Sequence, residues 1–362
     1  MINLFSMTKV VHIVEALGGG VYSYFIDLTS YFGKKDNINT TIIYSDNRPE
    51  IVPSMVRQHF HENINLIPKS MSSKISLFED FKTLVFLTKQ IVSLKPDVIH
   101  LHSSKMSVIG KLAYLFSFSR AKIYYTPHGY SFLKKDIPQL KQKVFYCIEK
   151  CFAKIGGSTI ACGDTEFSYA KKFGKAYLIR NGINFSKINK ITNSQNRERI
   201  TIGILGRITF ARNPKLFNTI AIMNPDIEFL WIGDGDLRQQ LTAKNITITG
   251  WFMDRQKGIE KLNDIDIYMQ TSLWEGLPIA PLEAMALKKP VIATNVIGNK
   301  DVVKHGETGF LFENHKEAKE FIDLLRNKNL RLKLGENAFL RVKDYFNSNK
   351  NFNNLERVYL NE

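Results

Sequence analysis

The stretch Trp274-Glu275-Gly276-Leu277-Pro278-Ile279-Ala280-Pro281-Leu282-Glu283-Ala284-Met285-Ala286 decides the fold. Just before it, residues 267–270 form a short apolar run with the look of a buried strand. Gly276, Leu277 and Pro278 then make a turn, and residues 280–287 have helix-forming composition. A strand, a short loop and a helix in succession form part of a βαβ unit. They bring the unpaired N–H groups and positive dipole end of the helix to the loop, where both suit an anion. Two carboxylates eight positions apart bracket the turn, Glu275 on the loop and Glu283 about one turn inside the helix.

The same alternation runs outward in both directions. Downstream lie strand patterns at 291–293 and 309–312 and a helical tail from 316. Upstream come a strand at 201–205, a helix near 214–223, a strand at 228–232, a helix at 236–243 and a strand at 246–249. Residues 188–199 are polar and aperiodic and read as a linker. Before them the pattern repeats, with strands at 10–14, 40–44, 98–100, 122–126 and 159–161 and helices at 22–32, 77–93 and 139–152. In 77–93 the apolar positions Phe78, Phe81, Leu84, Val85, Leu87 and Ile91 recur near period 3.6. The reading is α/β throughout: an N-terminal Rossmann-like domain at 1–187, a second at 200–345, and a C-terminal helix at 346–362 able to pack back on the first.

Composition narrows the classes. A hydrophobic content of 44% over 362 residues excludes a disordered chain. No run approaches the roughly 20 apolar residues that span a bilayer, and residues 1–9 are not a signal peptide. A cytoplasmic location is expected, peripheral to the inner face of the membrane. Three cysteines, Cys147, Cys151 and Cys162, suit a reducing compartment, and the first two are expected as packed helix-face thiols. The net charge of +16 is uneven: residues 1–190 carry 26 Lys and Arg against 13 Asp and Glu, the remainder 24 against 21. Such an excess suits anionic lipid, phosphate-bearing ligands or nucleic acid. Lys134, Lys135, Lys141, Lys143, Lys150 and Lys154, set among Phe132, Phe145, Tyr146 and Phe152, suit a helix on an anionic membrane surface. No helix-turn-helix, zinc or RNA-recognition signature accompanies them, so no nucleic acid partner is expected.

Glu275 to Ala286 resembles the Glu-x7-Glu signature of family 4 glycosyltransferases, retaining enzymes of the GT-B fold. Four more segments fit that family in order: Gly18-Gly19-Gly20 after the first strand, Thr126-Pro127-His128-Gly129, Ile179-Arg180-Asn181-Gly182-Ile183, and Gly206-Arg207 with Arg212-Asn213-Pro214. The resemblance spans essentially the whole chain. It implies two Rossmann-like domains facing a central cleft and transfer of a hexose or N-acetylhexosamine, with retention, from a nucleotide diphosphate sugar. UDP is the expected nucleotide. The acceptor expected for a bacterial surface polysaccharide, capsule or O-antigen, is a polyprenyl-diphosphate-linked glycan.

The resemblance also implies roles. Gly18, Gly19 and Gly20 approach the donor pyrophosphate, where side chains would block backbone N–H groups. Arg207, beside Gly206, and Arg212, which stands where the family usually has Lys, clamp the diphosphate; a guanidinium suits it by its fork of donors. Gly276, Leu277 and Pro278 lead the helix to the same group. Glu283 takes ribose hydroxyls, Trp251 adjoins the base, and Glu275 and His128 address the transferred sugar; apart from the resemblance, His102 at a strand end is a candidate for the acceptor. The catalytic set is thus His128, Glu275 and Arg207. No cofactor or metal is expected, since the arginines and the helix dipole neutralise the leaving diphosphate. Asp264 and Asp266, and Asp234 and Asp236, are expected to cap a strand and form a turn. The competing readings are a nucleotide-sugar epimerase of the same fold, a phosphorylase, and a basic membrane- or nucleic-acid-binding protein.

Overall fold

The computed structural model describes residues 7–47, 53–72, 74–188, 199–252 and 255–361. The chain divides into two units, Met1–Arg180 with Ser348–Glu362, and Asn181–Asn347.

Unit 1 carries a seven-stranded parallel sheet of β1 (Thr8–Val14), β2 (Ile38–Tyr44), β3 (Asn65–Pro68), β4 (Val98–His102), β5 (Lys122–Thr126), β6 (Ser158–Ala161) and β7 (Ala176–Leu178). Their spatial order is β3-β2-β1-β4-β5-β6-β7. The helices between them are α1 (Gly19–Phe32), α2 (Pro53–His59), α3 (Leu77–Leu94), α4 (Ser104–Phe116), α5 (Gln139–Ala153) and α6 (Asp164–Phe173). Both faces of the sheet are covered, which is why its strands read as continuous apolar runs. Val10 and Val14 face Phe25, Leu28 and Phe32 of α1, together with Phe352, Leu355 and Tyr359 of the C-terminal α14 (Ser348–Leu360). Val11 and Ile13 face Leu87 and Ile91 of α3 and Met106, Ile109 and Ala113 of α4.

The unit boundary differs from the expected residue 187: the chain leaves unit 1 after Arg180. The short α7 (Phe185–Ile188) belongs to unit 2, where Phe185 meets Phe339 edge-on at 5.8 Å. Residues 189–198 of the expected linker lie outside the described residues. At the other end α14 is held to unit 1 by polar contacts as well as apolar ones. Glu356 accepts from Tyr31 Oη at 2.7 Å and pairs with Lys35 at 2.7 Å.

Unit 2 has six parallel strands, β8 (Thr201–Leu205), β9 (Glu228–Ile232), β10 (Ile246–Ile248), β11 (Ile267–Gln270), β12 (Val291–Thr294) and β13 (Gly309–Phe312), in the order β10-β9-β8-β11-β12-β13. Its helices continue with α8 (Pro214–Ile222), α9 (Arg255–Asn263), α10 (Ile279–Ala286), α11 (Asn299–Val302), α12 (His315–Leu324) and α13 (Lys328–Tyr345). The helix expected at 236–243 is a single 3-10 turn, Arg238–Gln240. The Asn218 side chain draws off its later amides, accepting from the N–H groups of Thr242 at 2.7 Å and Ala243 at 2.8 Å. The helical tail expected from 316 comprises α12, α13 and the C-terminal helix α14, with the Asn327 side chain capping α13.

Strand order reverses between β1 and β4 in unit 1 and between β8 and β11 in unit 2. Open parallel sheets hold ligands outside the carboxyl ends of their strands at such points. The loops that leave those strands therefore define a candidate ligand-binding region in each unit.

Candidate active site

In unit 2, β8 ends at Leu205 and runs into Gly206-Arg207, while β11 ends at Gln270 and runs into the loop of Glu275. Two hydrogen bonds tie these loops together: Leu273 N–H donates to Ala211 O at 2.8 Å, and Thr271 Oγ1 donates to Arg212 O at 2.7 Å. Trp231 Nε1 donates to Gly206 O at 2.9 Å and fixes the glycine from below. Arg212 then reaches across to Glu275 in an ion pair of 2.7 Å. The same carboxylate oxygen accepts from Ser272 Oγ at 2.7 Å and Gln270 Nε2 at 2.8 Å. A partly buried carboxylate with three partners is held in one rotamer, so both Glu275 and Arg212 are preorganised.

The Glu275 loop is also clamped from above. Glu275 N–H donates to Ile297 O at 3.2 Å, and Gly298 follows with φ +85°. A Cβ at Gly298 would lie 2.5 Å from Gly276 O and 2.6 Å from Glu275 Cβ, so glycine is required there. Leu277, Pro278 and Ile279 are buried, and α10 begins behind Pro278 with no acidic residue in its first turn. Its N-terminal dipole is therefore not neutralised by its own side chains.

Glu283 lies inside α10 but is not open: it is 3% exposed and forms an ion pair with Arg255 at the start of α9. Arg255 is thus a site residue that the sequence did not point to. Trp251 is 57% exposed, and the Arg207 guanidinium stacks over its ring at 6.0 Å. The indole therefore stands beside one of the two arginines read as diphosphate ligands. Asp266 accepts from Thr201 N–H at 2.9 Å and caps β8, while Asp234 pairs with Arg238 at 2.8 Å.

In unit 1, α1 starts at Gly19, three residues earlier than expected, with Gly18 as its extended cap and Gly19 at φ +53°. Gly19 and Gly20 open the first helical turn and Gly18 caps it, so the chain entry into α1 is bare of side chains up to Val21. His128 follows β5 in a left-handed conformation, φ 52°. Its turn is anchored by Glu166 on α6, whose carboxylate accepts from the N–H groups of Gly129 at 2.8 Å and Cys162 at 2.9 Å. A cavity of about 230 Å³ opens at the carboxyl ends of β1, β4 and β5, lined by Glu15, His102, Ser103, Ser104 and His128 among others. Glu15 there accepts from Ser103 Oγ at 2.5 Å. Lys105 also lines the cavity, with its ammonium on the carbonyls of Ser72 and Lys74 and on Asp80.

His12, His100 and His102, all buried, and the half-buried His128 form one group. Register places His12 beside His100 and Val14 beside His102. His12 Nδ1 and His102 Nε2 are 3.0 Å apart, as are His102 Nδ1 and His128 Nε2. His100 bonds Tyr359 Oη at 2.5 Å and Thr126 Oγ1 at 2.8 Å. One nitrogen from each of His12, His100 and His102 falls within 4.8 Å of the others. Burial pushes His12 and His128 down to about 3, and burial with the neighbouring rings pushes His100 and His102 well below the usual imidazole range. All four are neutral at physiological pH.

Residues 158–341, about half of the chain, match the family model described as "Glycosyl transferases group 1". The chain belongs to that family. Among curated relatives of this glycosyltransferase, the Escherichia coli UDP-Gal:alpha-D-GlcNAc-diphosphoundecaprenol alpha-1,3-galactosyltransferase is 27% identical over 325 residues, 80% of this chain and 82% of that one. The Staphylococcus aureus capsular polysaccharide biosynthesis glycosyltransferase CapM is 26% identical over 360 residues, 91% of each. Among solved structures, sucrose-phosphate synthase from Thermosynechococcus elongatus superposes with a TM-score of 0.79 at 16% identity, covering 98% of both chains. Anabaena HepE in complex with UDP and glucose superposes at 0.78 and 16%, covering 98% of this chain and 100% of its own. The fold is GT-B.

In this glycosyltransferase the structure brings Gly206, Arg207, Arg212, Trp251, Glu275, Gly276, Leu277, Pro278 and Glu283 around the switch point of unit 2. It sets Gly18, Gly19, Gly20 and His128 on the loops at the carboxyl edge of the unit 1 sheet. Two expectations change. Cys147 and Cys151 are exposed instead of packed. The aromatic residues near the lysine cluster also turn inward: Phe132 is buried and stacks on Tyr130 at 4.9 Å. The apolar side chains that α5 does expose are Leu140 and Val144.

Proposed function

We propose that this glycosyltransferase is a retaining hexosyltransferase that moves a hexose or N-acetylhexosamine from UDP to a polyprenyl-diphosphate-linked glycan during surface polysaccharide assembly. One observation carries the reading: the loop that carries Arg207 and Arg212 after β8 and the loop that leads from β11 into α10 leave their strands at the switch point of unit 2 and are tied together by hydrogen bonds, and arginines beside a helix N-terminus suit a diphosphate. The named activity of the Escherichia coli relative supports the UDP donor and the lipid-linked acceptor, and the name of the Staphylococcus aureus relative supports a role in capsular polysaccharide synthesis. The family 4 resemblance supports retention.

In this mechanism Arg207, Arg212 and the α10 dipole stabilise the charge that develops on the departing diphosphate. No metal is assigned a step. Glu283, braced by Arg255, takes the ribose hydroxyls; Trp251 flanks the nucleotide; the bare amides at Gly18–Gly20 serve the pyrophosphate. Glu275 and His128 orient the sugar. The acceptor hydroxyl attacks the anomeric carbon on the face the diphosphate leaves, and a leaving phosphate oxygen takes its proton. The lysines on and before α5, with Leu140 and Val144 exposed beside them, seat unit 1 on anionic lipid at the inner face of the membrane. Among the described residues no helix is long and apolar enough to cross a membrane.

The test is transfer itself. The purified protein is incubated with UDP-sugars and a short polyprenyl-diphosphate glycan, UDP release is followed, and the anomeric proton of the product is read by NMR. An axial linkage made from an axial donor supports the proposal; an equatorial product, or an epimerised free sugar, overturns it.

A further inference from the structure

His128 has only one ring nitrogen left for a ligand. Its Nε2 is engaged by His102 Nδ1 at 3.0 Å, and His102 Nε2 is engaged in turn by His12 Nδ1 at 3.0 Å. The chain ends inside the core: His12 is fully buried, and its Nε2 has no hydrogen-bond partner among the described residues. Around that end stand the rings of Phe25 and Tyr359, edge-on at 5.9 and 6.1 Å.

A neutral imidazole has one N–H and one lone pair, so His102 donates on one side and accepts on the other. The three rings therefore share a single direction of donation, and only two directions exist. If His128 donated to His102 and His102 to His12, His12 would carry its proton on Nε2, as an N–H buried without an acceptor. If His12 donates to His102 and His102 to His128, the unmatched atom is a lone pair. Orphaned buried N–H groups are rarer in proteins than under-satisfied acceptors. The second direction is therefore favoured. It leaves the proton of His128 on Nδ1, the nitrogen that His102 does not take, on a residue that lines the cavity with Glu15, Ser103 and Ser104.

We propose that His12 and His102 are positioning residues that fix the tautomer of His128, so that His128 meets its ligand as an Nδ1–H donor to a sugar oxygen. The depth of the chain keeps it neutral, so the direction of donation is not scrambled by protonation. His100 stacks on His102 at 4.2 Å but stands outside the chain, since both of its nitrogens are taken by Tyr359 and Thr126. This inference rests on the assignment of His128 to the transferred sugar, and the experiment separates the two.

Full-length protein labelled with ¹⁵N-histidine is read by long-range ¹H–¹⁵N correlation, with the His128 signals assigned by their loss in His128→Gln. The expected spectrum shows His128 in one form, Nδ1 protonated and Nε2 bare. In His12→Phe, which keeps an aromatic ring but removes the terminal donor, His128 becomes a mixture of tautomers. Turnover then falls about tenfold, the worth of one hydrogen bond, while the KM for the nucleotide sugar stays within about twofold. His12→Asn, whose amide nitrogen stands in for Nδ1, restores both. The wild-type spectrum decides the direction even where His12→Phe does not fold. Protonation of His128 at Nε2, averaged nitrogens in the wild type, or an unchanged His128 tautomer in folded His12→Phe overturns the inference. So does one equivalent of tightly bound zinc with one nitrogen each of His12, His100 and His102 on the metal, which makes the cluster a metal centre. Full turnover by His128→Gln removes the sugar assignment instead, and the tautomer result stands apart from it.

Discussion

Acid should weaken unit 1 through His12, by an amount that can be worked out. Burial holds this imidazole at about 3 in the folded chain, against 6.5 for an ordinary histidine. A base with a depressed folded pKa contributes stability that is present above 6.5 and is lost as the pH falls toward 3. At pH 5 the unfolded side chain is ionised and the folded one is not, which removes about 2 kcal/mol relative to pH 7. His100 and His102 shift in the same direction and add to the loss. Glu149 on α5 opposes it. Burial pushes its carboxyl up to about 7, where it accepts from Tyr125 Oη at 2.9 Å. That group takes up its proton earlier in the folded chain and returns about 2 kcal/mol between pH 7 and 5. Single variants separate the two effects. Urea unfolding by far-UV circular dichroism at pH 7 and pH 5 should show a pH penalty smaller by about 2 kcal/mol in His12→Phe and larger by about 2 kcal/mol in Glu149→Gln. All three tryptophans, Trp231, Trp251 and Trp274, lie in unit 2, so their fluorescence is an internal control that should move less. A His12→Phe protein with the wild-type pH dependence would refute the reasoning.

Three further outcomes follow from packing and charge. Gly298→Ala forces a methyl group onto Gly276 O at φ +85°; the Glu275 loop should shift, with a cost of about 1–3 kcal/mol in stability and a lower kcat in the transfer assay, and an unaffected enzyme would show that the loop is not clamped there. Tyr359→Phe leaves His100 Nδ1 buried without its partner and should cost about 1–3 kcal/mol in urea unfolding; a change below about 0.5 kcal/mol would mean that α14 is held by apolar contact alone. Replacing Lys141, Lys143, Lys150 and Lys154 by Glu should abolish co-sedimentation with anionic vesicles while leaving melting behaviour intact, and equal binding would move the membrane surface elsewhere on the protein.

The sequence carried the architecture where apolar period and turn chemistry agree. Residues 267–286 read as strand, loop and helix, and β11 and α10 stand there within one residue. It failed at 236–243 because the capture of two amides by Asn218 is a tertiary event that leaves no local trace. Arg255 escaped notice because α9 is short, polar and interrupted by Gly258, so nothing marks its first residue as the partner of Glu283. His12 was invisible for a different reason. A lone histidine in an apolar strand carries no motif, and its place in the chain to His128 comes from the parallel register of β1 with β4, which no spacing encodes. The lysines near α5 were legible as charge, but the aromatics among them were assigned the wrong face, since burial of Phe132 depends on Tyr169 and Phe173 of α6 as well as on its neighbour Tyr130.

The central claim is a nucleotide diphosphate seat built from Arg207, Arg212 and α10 without a metal, and calorimetric titration with UDP in the presence of a chelator tests it directly. The account predicts saturable binding of UDP to the wild type, unchanged when magnesium is supplied, and at least about tenfold weaker in folded Arg212→Ala, the loss of one charge-assisted contact. Binding that requires magnesium, or an Arg212→Ala protein that binds UDP as the wild type does, would contradict it.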